Sequence, residues 1–174
     1  RRVAAFNTYQ NILYGNWRPW LQAPSRYGVI DNSVKTLANS GAQWAFLRYA
    51  ADRYSGSSLA TETSFIKSLV SSNTTGINNL QNIIGSDANI WLRDYLISTY
   101  IDDSPKIATL GLTGNYTASS WNYRSIYTAL GASPLRDIAL SVGGTETVLL
   151  KPLGTSSYYR FSIAPGATAS LSLA

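Results

Sequence analysis

Residues 41–54, GAQWAFLRYAADRY, carry an aromatic or long aliphatic side chain on every helical turn, and their reading decides the fold. Extended toward the N-terminus, Val34, Leu37, Ala38, Gly41, Trp44, Ala45 and Arg48 recur at intervals of three and four, with Phe46, Leu47 and Tyr49 on the flanks. This spacing predicts a helix, and one that is apolar over most of its circumference belongs inside a body. Trp44, Ala45, Leu47 and Ala51 are therefore expected to be buried. Asp31 or Ser33 is placed to cap the start of this helix.

Working outward, Val3, Phe6, Ile12 and Leu13 predict an N-terminal helix. GNWRPWLQAPSRYG (15–28), with Gly15, Pro19 and Pro24, then predicts an aromatic loop. On the other side, SGSS (55–58) starts a helix burying Leu59, Phe65, Ile66, Leu69 and Val70, and NTTG (73–76) is a turn. GINNLQNIIG gives a short helix closed by Gly85 in the left-handed conformation. Ser86 opens the last helix, DANIWLRDYLISTYIDD, with Asp87 well placed against the helix dipole.

After Pro105 the period changes. KIATLGL, SWNYRSIYTAL, DIALSV, TETVLLKPL, YYRFSIA and TASLSL alternate or run apolar between Gly, Pro and Ser, the pattern of short strands. Gly143 and Gly144 predict a hairpin pairing 137–142 with 145–150. The expected fold class is thus α+β. It comprises a helical subdomain over 1–104 and a small antiparallel, β-sandwich-like subdomain over 105–174.

Composition narrows the function classes. In 174 residues, charged side chains make up 13% while Ser and Thr number 38, so the expected surface is polar without being charged, as suits a secreted protein. The net charge of +5 comes from basic residues scattered singly apart from Arg1 and Arg2, with no longer run to neutralise neighbouring phosphates, which argues against nucleic acid as a partner. No apolar run is long enough to span a bilayer. The chain opens RRVAAF with no Met anywhere, as expected of a processed part of a longer product.

His and Cys are absent, which removes imidazole bases, thiolate nucleophiles and their metal sites from this chain. No catalytic and no metal-binding residue is assigned, and no cofactor is expected in these residues. SFIK (64–67) has Ser–Lys spacing but reads as helix surface. Asp94, Asp102 and Asp103 are the one acidic cluster, read as acceptors for Arg or loop amides at a helix end rather than as a cation site. NTT (73) and NYT (115) are glycosylation sequons that mark exposed loops. Trp17, Trp20, Tyr27, Trp121, Tyr158 and Tyr159, with Tyr123, are candidates for an interaction surface stacking on sugar rings or a partner chain, although such residues more often anchor a core.

SGAQWAFLRYAADRY, followed by LVSSNTTGINNLQNIIG, WLRDYLISTYIDD and SWNYRSIY, resembles a segment of bacterial secreted zinc metallopeptidases similar to hyicolysin. The resemblance covers residues 1 to about 128 and rests on order and spacing. In that family the zinc-binding HExxH helix and a further Glu ligand precede this segment, so no metal or catalytic residue carries over. The resemblance implies a helical scaffold behind a catalytic centre, with 41–54 as its central packing helix and zinc only in a longer parent protein. YYRFSIAPGATASLSLA (158–174) is also similar to the closing hairpin of small β-domains that follow many secreted peptidases.

Two functions are therefore expected. One is a non-catalytic C-terminal portion of a secreted metallopeptidase-like protein, supporting the catalytic domain and serving substrate or surface attachment. The other is an extracellular structural or filament-forming assembly subunit derived from that fold. The partners are the rest of the parent polypeptide in the first case and copies of the same chain in the second.

Overall fold

A computed structural model describes residues 2–33, 35–102, 104, 111, 114–170 and 172. Helix α1 runs from Arg2 to Gln22, so the segment expected to be an aromatic loop from Gly15 is helical as far as Gln22. Trp17, Trp20 and Leu21 fall on one face at helical spacing and are fully buried. A proline inside a helix costs about 3 kcal/mol, whereas burying a large apolar side chain contributes about 1.5–3 kcal/mol. Three such residues outweigh Pro19.

Helix α2 spans Leu37–Ser55. Its cap is Thr36, whose Oγ1 accepts the Asn39 N–H at 3.1 Å, and not Asp31 or Ser33. Asp31 instead accepts from the Ser33 N–H at 2.8 Å and from its hydroxyl at 2.6 Å. Ala38, Gly41, Ala42, Ala45 and Tyr49 form the buried stripe against which α1 packs. Ala45 and Ala51 are buried as expected, but Trp44 is only half-buried and Leu47 is 40% exposed. Leu47 lies across the helix from the small-residue stripe, because close approach of α1 selects the smallest face rather than the most apolar one.

Helices α3 (Leu59–Ser71), α4 (Gly76–Ile84) and α5 (Ala88–Ile101) complete the main body. Ser58 caps α3, Asp87 caps α5 with its carboxylate on the Asn89 N–H at 2.8 Å, and Gly85 ends α4 at φ 65° as the sequence predicts. Of the residues expected under α3, Phe65 is buried and Leu69 half-buried, while Leu59, Ile66 and Val70 are exposed. Tyr95 of α5 is the aromatic centre, with Trp20, Phe46 and Tyr49 rings at 6.1, 5.5 and 5.7 Å.

The expected antiparallel β-sandwich is not formed. SWNYRSIYTAL contains helix α6 (Tyr123–Leu130), capped by Asn122 on the Ser125 N–H at 2.8 Å and ended by Gly131 at φ 57°. Its apolar residues 123, 126, 127 and 130 have helical spacing, which outweighs their β-favouring aromatic and branched side chains. Among the described residues there are two strands, β1 (Leu135–Ala139) and β2 (Tyr158–Ser162), and they pair in parallel with Leu135 opposite Tyr158 and Ala139 opposite Ser162. Asp137 and Arg160 face each other in this register and form an ion pair at 2.5 Å.

The predicted hairpin across Gly143 is likewise absent. Gly143 adopts φ 73° and the Gly144 N–H closes a turn on the Ser141 carbonyl at 2.9 Å, but 145–150 runs on without pairing to 137–142. Tight-turn chemistry is local; a ladder also needs a face to bury, and this segment has none. KIATLGL lies outside the described residues except for Gly111.

The chain returns to the helical body at 153–158. The Val29 and Ile30 N–H groups donate to the Gly154 and Leu153 carbonyls at 3.2 and 3.1 Å, and the Ser156 N–H donates to the Pro24 carbonyl at 3.2 Å. The Tyr158 hydroxyl donates to the Leu96 carbonyl at 2.5 Å, so strand β2 begins on α5.

Candidate functional site

The N-terminal half of α1 presents Asn7, Gln10, Asn11 and Tyr14 on one face, at the i, i+3, i+4, i+7 spacing that brings side chains into line. Ser120 and Trp121, in the segment before α6, stand opposite, and the six residues enclose an open cleft of about 490 Å³. The three carboxamides hydrogen-bond to none of the described residues and face solvent. Trp44 lies behind the cleft, its ring 5.3 Å from Tyr14 and 5.0 Å from Trp121. Partial burial raises the pKa of the Tyr14 phenol above its ordinary value of 10.

The Trp121 wall is fixed from behind by acids of the helical body. The Asp52 carboxylate accepts the Ser120 N–H at 3.1 Å and the Ser120 hydroxyl at 2.7 and 2.8 Å. The same carboxylate pairs with Arg48 at 2.5 Å, and Arg48 bridges onward to Glu62 of α3 at 2.6 Å. Asp102 accepts the Ala118 and Tyr123 N–H groups, each at 3.0 Å. The Tyr49 hydroxyl donates to the Asn115 carbonyl at 2.6 Å. Arg53 pairs with buried Asp94 at 2.8 Å and covers the Trp91 ring at 4.5 Å. Arg93 meets the same carboxylate at 2.7 Å. These acids thus serve loop amides and guanidinium groups, as the sequence reading of Asp94 and Asp102 expects; Asp103 lies outside the described residues.

The aromatic residues singled out in the sequence do not form one surface. Trp17 and Trp20 are wholly interior, with the Trp20 indole N–H on the Tyr27 carbonyl at 2.9 Å. Tyr27 packs half-buried against the core, and Tyr123 is buried between Trp17 and Tyr127. Tyr158 stacks on Tyr100 at 6.1 Å, and Tyr159 stacks on Phe161 at 5.9 Å under Arg136. Trp121 is the member that reaches the cleft. Asn7, Gln10, Asn11 and Tyr14 escape a reading that follows apolar residues, although their own spacing is a helical stripe of polar groups.

Nucleophilic chemistry finds little support in this geometry. The Ser120 hydroxyl donates to a carboxylate already paired with Arg48, and with no His in the chain no imidazole stands beside it as a base. Ser64 and Lys67 are both exposed on α3. Among the described residues no three His, Cys, Asp or Glu side chains are grouped as metal ligands. Among the described residues no helix is long and apolar enough to cross a membrane. No protein family, curated protein or solved structure matches the chain.

Proposed function

We propose that this chain is the non-catalytic scaffold portion of a secreted zinc metallopeptidase similar to hyicolysin, with the zinc-binding catalytic part elsewhere in the parent polypeptide. One observation carries the reading. The stretches that bear the resemblance interlock through their own polar residues: Asp52 of α2 holds Ser120, Asp102 after α5 holds Ala118 and Tyr123, and Arg53 of α2 holds Asp94 of α5. Residues that hold each other in place are what a scaffold segment requires, and the buried small-residue face of α2 against α1 supports a packing role for that helix. The parent protein, purified from its source, is expected to contain stoichiometric zinc and to cleave casein, while residues 1–174 alone do neither. A parent lacking zinc and activity, or hydrolysis by residues 1–174 that disappears with a point variant, would overturn the reading.

A second reading, an extracellular assembly subunit, is favoured by the β half. Among the described residues β1 and β2 pair with no other strand, and Val142 and Leu149, in the segment that follows β1, are 97% and 81% exposed. Two strands alone are marginal in water, and open edges accept further strands. Sedimentation and electron microscopy of the purified chain test this: filaments or large particles favour it, and a monomer at high concentration rules it out.

A further inference from the structure

We infer that the cleft between α1 and Trp121 is a binding site for a neutral carbohydrate chain. Its polar groups come from Asn7, Gln10, Asn11, Tyr14 and Ser120, and its apolar wall from Trp121. The carboxamides each offer both donors and an acceptor and have no partner among the described residues, so a ligand need not displace an internal bond. A hydroxyl-bearing sugar ring matches such groups at its edge, while its C–H face lies against an indole.

The lining side chains also discriminate. None carries a charge at neutral pH, so a phosphorylated or acidic ligand would lose hydration without gaining an ion pair. The groups project from a helix and not from a sheet edge, so an extended peptide finds no backbone ladder to join. The wall is preorganised: Trp121 contacts Tyr14, Trp17 and Trp44 rings at 5.7, 5.8 and 5.0 Å, and its neighbour Ser120 is fixed to Asp52. Preorganisation lowers the ordering cost of binding. A volume of about 490 Å³ suits a few sugar units. The inference does not rest on the peptidase reading, since it uses side chains that the scaffold contacts leave free.

The test is calorimetric and NMR titration of residues 1–174 with cellohexaose, chitohexaose and mannohexaose, beside a neutral Gly–Ser peptide. At least one hexasaccharide is expected to bind saturably and to shift the Trp121 indole N–H resonance. Gln10→Ala combined with Asn11→Ala is expected to weaken binding by about tenfold or more while leaving the circular dichroism and thermal unfolding of the chain unchanged. Failure of all three sugars at millimolar concentration, binding that survives the double variant in a folded chain, or binding of the peptide in place of the sugars would each overturn the proposal. A negative result here leaves the zinc and casein results of the parent protein unaffected, so the two readings fail separately.

Discussion

Gly41 of α2 sits directly on the Asn16 backbone of α1: a methyl group at position 41 would come within 2.3 Å of the Asn16 carbonyl carbon and of the Trp17 nitrogen. Both obstacles are backbone, so neither can rotate away. Gly41→Ala is expected to force the two helices apart and to cost about 3 kcal/mol or more, although alanine favours an isolated helix. Urea unfolding measures it. A loss below about 1 kcal/mol would show that α1 and α2 do not meet there.

Asp52 couples α2 to the cleft wall. Asp52→Ala is expected to cost about 3 kcal/mol by leaving Arg48 and the Ser120 amide short of an acceptor, and Ser120→Ala about 1–2 kcal/mol. The double variant should cost less than the sum, because either change alone removes the Ser120 hydroxyl bond. Additive losses in a double-mutant cycle would mean that the pair does not interact.

Tyr123 is fully buried, yet its hydroxyl has no hydrogen-bond partner among the described residues. Its ring is what the core uses, packed at 5.5 Å from Trp17 and 5.8 Å from Trp121. Tyr123→Phe keeps the ring and removes a desolvated polar atom, so thermal unfolding is expected to show stability unchanged or raised by up to about 1 kcal/mol. A clear loss would reveal a bond to that hydroxyl.

Alkaline pH should unfold the chain cooperatively. Burial pushes the Tyr49 phenol up to about 12, and holds Tyr95, Tyr123, Tyr127 and Tyr158 well above their ordinary value of 10. The unfolded chain therefore releases these protons first. Their contribution is complete below pH 10 and falls as pH rises toward the folded values, each group removing up to about 1.4 kcal/mol per pH unit. Tyrosinate absorbance of these residues should rise together with loss of helical circular dichroism. Ionisation of all five in a chain that stays folded would contradict their burial.

The helices between 37 and 101 are legible in the sequence because apolar period and Gly85 at the end of α4 agree there, although the caps fall one to five residues from where they are expected, at Thr36 for α2 and at Asp87 in place of Ser86 for α5. α1 is harder to read. Pro19 argues locally against helix, and only the joint burial of Trp17, Trp20 and Leu21 reverses it. The β half misleads for another reason. Short apolar runs near Val142 and Leu149 look like strands, but strand pairing depends on remote partners, and β1 finds its partner in a segment beyond the apparent hairpin. As for the cleft, Trp121 stands out as an aromatic, whereas Asn7, Gln10 and Asn11 gain meaning only once Trp121 is brought opposite them.

The bonds from Val29 and Ile30 to Leu153 and Gly154 have a kinetic corollary. They join points about 125 residues apart, and the entropy of closing a loop grows only with the logarithm of its length, so the closure is affordable but must await chance encounter. The helices, built on nearer contacts, would assemble first and present Pro24–Ile30 as a finished seat. A protease cut within the exposed stretch 141–147 would then release nothing at once: the severed tail would stay docked at 153–158, and the two fragments, once separated, should recombine on mixing.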